Sequence, residues 1–399
     1  MVTLVGSCLS LSMQDCSAVL LGPYCADPFG VPRYSATIWI DFLNGHLASS
    51  TRGKYAAAAS ALYHQAERMT PPIDLDAALL SADLSSLEAV LSANLLSGAD
   101  SLNGQSRWRL SKQFVFSILE NVVRSDTAEL GRELRRIKRL YAQLRPPGRQ
   151  PNVRLRAIPA VALEELYEVF RPDSVRNPFR TDALKWRNFV ILLVLTQLGL
   201  RKGEVLSLSV SALQTEFDEK AGGLRHWLSI DGSLLQQDPR ARQASLKNGP
   251  AMRQLPISLA LLTALDTYVS QFRGDPPHAF LFSSLQDGPL AASTLDQIIA
   301  TAVDCLSVDA VDAIRRHADG KLSAHSFRHT AAVIRLQRFM SSGMAHDEAI
   351  RRLRPFFGWS RDSEMPFHYA RAYFDPRYAQ LWDEDFEASL AALREGVFG

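Results

Sequence analysis

Between Lys321 and Tyr369 the chain carries side chains suited to gripping an anion. In the segment KLSAHSFRHTAAVIRLQRFM, His325, Arg328 and His329 fall at i, i+3 and i+4. A helix would place these two imidazoles and a guanidinium on one face of its first turns, where free backbone N–H groups already favour negative charge. That is an arrangement for binding phosphate. Phe327, Ala331 and Ile334 recur at helical spacing on a different face, which predicts a helix anchored in a core with its cationic face turned outward. Forty-one residues after Arg328 comes a phenol, Tyr369, preceded by Trp359 and His368.

Helices and turns must position these groups. Apolar periodicity predicts helices over 161–170 and 184–198, the second so apolar that it must be buried. Gly199 stands where a left-handed helix cap belongs, and Leu200-Arg201-Lys202-Gly203-Glu204 turns the corner before the apolar Val205-Leu206-Ser207-Leu208. An arginine at such a corner is held by the buried helix behind it. Residues 226–231 alternate like a strand and 253–257 form a second short extended run, with Lys247-Asn248-Gly249 at a turn between them. Further helices are expected over 259–272 and 293–306, and an amphipathic tail helix carries Phe386, Leu390, Leu393 and Val397.

The N-terminal part reads differently. Residues 1–34, with Pro23, Pro28 and Pro32, are expected to form an extended or partly ordered arm. From 35 to 145 the pattern is helical throughout: SATIWIDFLNGHL, then a helix after the capping cluster Ser49-Ser50-Thr51, stopped by Pro71-Pro72, then helices over 81–96, 105–123 and 127–144. A bundle of about four helices is the natural architecture. Residues 146–158, rich in Pro and Arg, serve as an extended linker to a second domain over 159–399. The fold class is thus mainly α with a small β-sheet.

The net charge of +2 over 399 residues hides an uneven distribution. Thirteen Lys and Arg against four Asp and Glu lie between 101 and 156, a local excess of nine positive charges. A solvated helix face would share this composition, but a stripe facing DNA phosphates is favoured, formed by Arg132, Arg135, Arg136, Lys138 and Arg139 with Arg149, Arg154 and Arg156 in the linker. Two domains joined by a basic strap can close around a duplex as a clamp. The four cysteines form no Cys-x-x-Cys pair and have no nearby His at ligand spacing, so neither a zinc site nor a disulfide scaffold is expected. The first 32 residues hold no Lys or Arg, so the positive region a signal peptide needs is not expected there, and the apolar run 189–200 is too short for a membrane span of about 20 residues. A soluble, cytoplasmic, nucleoid-associated protein is expected.

At these positions the sequence resembles the tyrosine recombinase, or phage integrase, family. His325-Ser326-Phe327-Arg328-His329-Thr330 is similar to the family's second arginine box, and Gly199-Leu200-Arg201-Lys202-Gly203-Glu204, whose Glu204 stands 124 residues before Arg328, is similar to its first. Gly358-Trp359 and Tyr369 match the motif that leads to the nucleophile. The resemblance implies an N-terminal core-binding domain, a C-terminal catalytic domain, and catalytic roles for Arg201, Lys247, His325, Arg328, Trp359 and Tyr369, with Glu204 and His329 supporting. The step from Trp359 to Tyr369 is one residue longer than the usual spacing, which keeps Tyr373 as the alternative nucleophile.

Physical chemistry gives these groups coherent tasks. Two arginines would bind the non-bridging phosphate oxygens, assisted by ring N–H donors of His325 and Trp359. Tyr369 would attack phosphorus, His325 accept its proton and Lys247 protonate the departing 5′-oxygen. Neither cofactor nor metal is expected. The resemblance implies as partners double-stranded DNA, a homotetramer on DNA and accessory proteins. The tail helix, which could pack on its own domain, is expected instead to dock on a neighbouring protomer, as in family members. Alternatives are a type IB topoisomerase, which would relax supercoils as a monomer, and a non-cutting DNA-binding regulator. Integration, excision, transposition and multimer resolution are equally compatible with this sequence.

Overall fold

The computed structural model describes residues 23–97, 104–121, 128–145, 157–219, 222–235, 238–240, 252–317, 321–360 and 363–367. The chain divides into two compact units, Met1–Asn152 and Val153–Gly399.

In the first unit, α1 (Tyr34–Thr37) runs into a π-helical turn, Ile38–Leu43, and is followed by α2 (Ser49–Glu67), α3 (Leu75–Leu80), α4 (Leu84–Ser97), α5 (Gly104–Asn121) and α6 (Ala128–Gln143). The alanine-rich α2 buries Ala56, Ala59, Leu62, Tyr63 and Ala66, small and large residues at helical spacing that let neighbouring helices approach. At the centre Trp39 stacks on Tyr55 at 4.5 Å and meets Phe114 at 5.0 Å. The expected Ser49-Ser50-Thr51 cap is displaced: Ala48 takes the N-cap position, without a side-chain cap. Within residues 23–33, part of the expected arm, Cys25 is buried, Ala26 bridges to Pro32 and Arg33 pairs with Glu67, while Phe29 and Val31 stay exposed. α6 buries only Ile137 and Tyr141 and turns its arginines to solvent.

The second unit begins with α7 (Ala160–Phe170) and α8 (Asp182–Leu193), which continues as a π-helical turn, Val194–Leu198. The short α9 (Lys202–Ser207) leads into an antiparallel sheet in the order β1 (Leu213–Asp218), β2 (Gly223–Ile230), β3 (Arg253–Pro256). Leu213, Leu228 and Leu255 align across the three strands, and the last two are buried. Then come α10 (Leu259–Thr267) with a π-helical turn, Tyr268–Phe272, and α11 (Ala292–Val303), α12 (Val308–His317), α13 (Ala324–Ser341) and α14 (His346–Phe357). The described residues therefore form the expected mainly helical class with a small sheet. α3, α14, β1 and α12 escape the sequence reading. β1 is exposed along most of its length and lacks an apolar alternation, and α12 is a short helix in a segment rich in acids and bases.

Candidate active site

The site is built where two helices end beside the start of a third. α13 opens with a reciprocal cap between Ser323 and Ser326. It is buried on almost every side from Ser326 to Ile334, because α14 and the π-helical turn before Gly199 both pack against it. Each of those neighbours stops at a left-handed glycine, Gly199 (φ 58°, ψ 37°) and Gly358 (φ 56°, ψ 48°). The last carbonyls of a helix have no partner within it and carry the negative end of its dipole. Arg328 fills that need: one terminal nitrogen donates to the Gly199 carbonyl at 2.7 Å, the other to the Phe357 carbonyl.

This corrects the expected outward cationic face. Arg328 is only 2% exposed and His329 is also buried, whereas His325, on the first turn, is exposed. The guanidinium faces inward because the carbonyls left over at two helix ends lie there. Thr330 is structural, accepting from the Ile158 N–H at 2.8 Å.

Glu204 is the centre of the cluster and is 1% exposed. Its Oε2 accepts the Arg201 backbone N–H at 2.8 Å and its Oε1 the Arg201 Nη1 at 2.8 Å. Arg253 spans both oxygens, at 3.1 Å to Oε1 and 3.0 Å to Oε2. The Arg328 Nη1 stands 3.8 Å from Oε2. Burial alone would raise the Glu204 pKa, but the hydrogen bonds and charge of Arg253, the charge of Arg328 and the Arg201 N–H outweigh it and hold the carboxyl below its ordinary value. The same arginines also divide the end of α14 among them. Arg253 Nε donates to the Phe356 carbonyl at 2.8 Å, Arg328 to Phe357, and Arg201 Nη2 to Gly358 at 3.3 Å. Three guanidinium groups around one carboxylate leave a positive cluster that suits a phosphate.

Trp359 lies over this end of α14, stacked on Phe357 at 4.8 Å, with the Arg328 guanidinium 5.6 Å from its ring centroid. His325 and His329 meet edge to face at 4.4 Å. The structure thus brings together Arg201, Glu204, Arg328 and Trp359, and places His325 and His329 on the same helix as Arg328. Lys247, Tyr369, Tyr373, Arg149, Arg154 and Arg156 lie outside the described residues. In the first unit Arg132, Arg135, Arg136, Lys138 and Arg139 are exposed on α6, with Arg136 paired to Glu133 and Lys138 to Glu120.

The sequence presents Arg253 only as the start of a strand. Its signal is position: two residues before the inward Leu255, it has to point to the same face as that leucine, where a charge needs a partner. Among the described residues, no group of three or more His, Cys, Asp or Glu is arranged to hold a metal ion, and no helix is long and apolar enough to cross a membrane.

Residues 164–375 match the family model described as the phage integrase family. Among solved structures, the XerH site-specific recombinase bound to difH substrate in a pre-cleavage complex is similar at 15% identity and a TM-score of 0.51, covering 87% of this chain and 82% of that one. The XerH post-cleavage complex with palindromic difH substrate is similar at 14% identity and a TM-score of 0.52, covering 91% and 85%. This likeness is one of fold. No curated protein matches the chain.

Proposed function

The chain belongs to the phage integrase family, and from that premise we propose that it is a site-specific recombinase that cuts and rejoins DNA through a 3′-phosphotyrosyl intermediate. The observation that carries this reading is the convergence of Arg201 and Arg328 on Glu204, with Trp359 stacked beside them. A phosphodiester gains negative charge on its non-bridging oxygens when phosphorus is attacked, and preorganised guanidinium groups stabilise that charge in place. Arg201 is the more accessible of the two, at 21% side-chain exposure against 2% for Arg328.

In this reading Tyr369 attacks phosphorus and forms the P–O bond, its proton passing to His325. The bond to the 5′-oxygen breaks, and Lys247 supplies the proton that oxygen needs. The phosphotyrosyl ester keeps the energy of the broken phosphodiester, so a second 5′-hydroxyl can reverse the step without ATP or a metal ion. Two rounds on two duplexes, in a DNA-bound tetramer, exchange strands. The XerH proteins, whose solved complexes are with recombination substrates, supply the analogy for such a role. Incubation with supercoiled plasmid bearing the sequences that flank the gene, in chelator and without nucleotide, tests this. A protein–DNA adduct on a denaturing gel is expected, and binding without adduct counts against it.

A further inference from the structure

We propose that Arg253 is a positioning residue of the phosphate site: by bonding both oxygens of Glu204, it shares that carboxylate with Arg201 and Arg328 and limits how far their charge is neutralised before a phosphodiester arrives. The inference rests on the functional reading above and extends it to a residue that lies in neither arginine motif.

The geometry separates Arg253 from the other two arginines. Its side chain is 7% exposed, against 21% for Arg201, and it donates to Glu204 Oε1, Glu204 Oε2 and the Phe356 carbonyl, all inside the protein. A planar fork can make these three bonds at once, and an ammonium cannot reproduce that pattern. Sheet pairing fixes the reach of the side chain. Arg253 is opposite Ile230 and Leu255 opposite Leu228, so β3 can slip only by turning Leu255 out of the core.

Removing Arg253 leaves a buried carboxylate that still needs donors. Among the described residues, the other cations beside Glu204 are Arg201, already bonded to Oε1 at 2.8 Å, and Arg328, at 3.8 Å from Oε2 and just beyond a hydrogen bond. Glu204 would hold Arg201 more tightly, draw Arg328 in from 3.8 Å, and neutralise charge that a phosphate requires. Loss of the bond to Phe356 would also release the end of α14, just before Gly358 and Trp359. Arg253 thus acts on the reaction through Glu204, without touching substrate.

The test compares wild type, Arg253→Met, Arg253→Lys, Glu204→Gln and the Arg253→Met/Glu204→Gln pair. Three quantities are measured: affinity for inorganic phosphate by phosphorus NMR line broadening, mobility-shift affinity for nicked duplex bearing the flanking sequences, and the rate of covalent adduct formation. Arg253→Met is expected to weaken phosphate at least about tenfold and to slow adduct formation about a hundredfold, with DNA affinity changed less than about threefold. Adding Glu204→Gln should recover about tenfold of the lost rate, because the unmatched carboxylate is gone. A purely structural role predicts the opposite, a double variant at least as poor as the worse single one. Should Arg253→Met not fold, Arg253→Lys decides, with a loss of about tenfold in rate and phosphate affinity at unchanged melting temperature. Wild-type phosphate affinity and rate in Arg253→Lys, or no recovery in the double variant, overturns the proposal. Wild type that binds DNA but forms no adduct defeats the functional reading instead, and phosphate affinity alone then judges Arg253.

Discussion

The ring of Phe357 fills the space that a side chain on Gly199 would need. A Cβ at Gly199 would lie 2.6 Å from that ring and 2.9 Å from the Ala331 Cβ, and the φ of +58° is one that only glycine adopts without strain. The carbonyls of these same two residues, Gly199 and Phe357, receive the Arg328 guanidinium. The close approach of two helix ends thus creates the socket that holds this arginine.

Gly199→Ala should therefore cost about 2–5 kcal/mol, combining left-handed strain with overpacking. Urea titration followed by tryptophan fluorescence measures it. A cost below about 1 kcal/mol would mean that Phe357 and Ala331 yield freely.

Glu204→Gln should destabilise the second unit by about 3 kcal/mol at pH 7, since it leaves buried guanidinium groups without their counter-charge. The pH dependence has a definite sign. The folded-state pKa of Glu204 is depressed below the ordinary 4.5, so its contribution is complete above 4.5 and is lost as pH falls through the lower folded value. The stability gap between wild type and Glu204→Gln should then shrink on acidification below 4.5 and stay constant from about pH 6 to about pH 8, as measured by denaturant melts across pH.

Much of this site is legible in the sequence, for identifiable reasons. Gly199 and Arg201 are legible because a helix end and a corner are local features a few residues apart, and Glu204 through the family motif that contains all three. Gly199 does take the left-handed cap, whereas the contact of Glu204 with the Arg201 N–H emerges only in the structure. The helical class follows from periodicity in the same way. What local pattern does not supply is direction. Periodicity turns Arg328 outward, but the carbonyls that draw it inward belong to residues 129 and 29 positions away. Arg253 is hidden likewise, since its partner Glu204 lies 49 residues earlier. β1 is hidden because a strand exposed on both faces leaves no hydrophobic alternation to read.

Trp359 packs on Phe357 and faces Arg328, so its ring and its N–H can be separated. Trp359→Phe should hold stability within about 1.5 kcal/mol while slowing adduct formation at least about tenfold, the outcome expected of the proposed N–H donor to phosphate. Trp359→Ala should in addition cost about 3–5 kcal/mol. Equal rates in wild type and Trp359→Phe would reduce the tryptophan to packing alone.

The exposed basic face of α6 should act on affinity and leave chemistry untouched. Replacing Arg132, Arg135 and Arg139 together by serine should weaken binding to specific and random duplexes alike. The slope of log affinity against log salt should become shallower by about 0.9 for each phosphate that is no longer neutralised. An unchanged slope would assign these arginines to a solvated surface.

The most direct test of DNA cleavage by this chain is the chemical identity of the bond between protein and DNA. Wild type, Tyr369→Phe and Tyr373→Phe would be incubated in parallel with nicked duplex carrying the flanking sequences, with a mobility shift to show that each binds. The adducts would then be digested and the modified peptide sequenced by mass spectrometry. The expected result is a 3′-phosphate linked to Tyr369 and an adduct lost only in Tyr369→Phe. A linkage on Tyr373 would move the nucleophile, and bound DNA without any adduct in wild type would contradict cleavage by this chain.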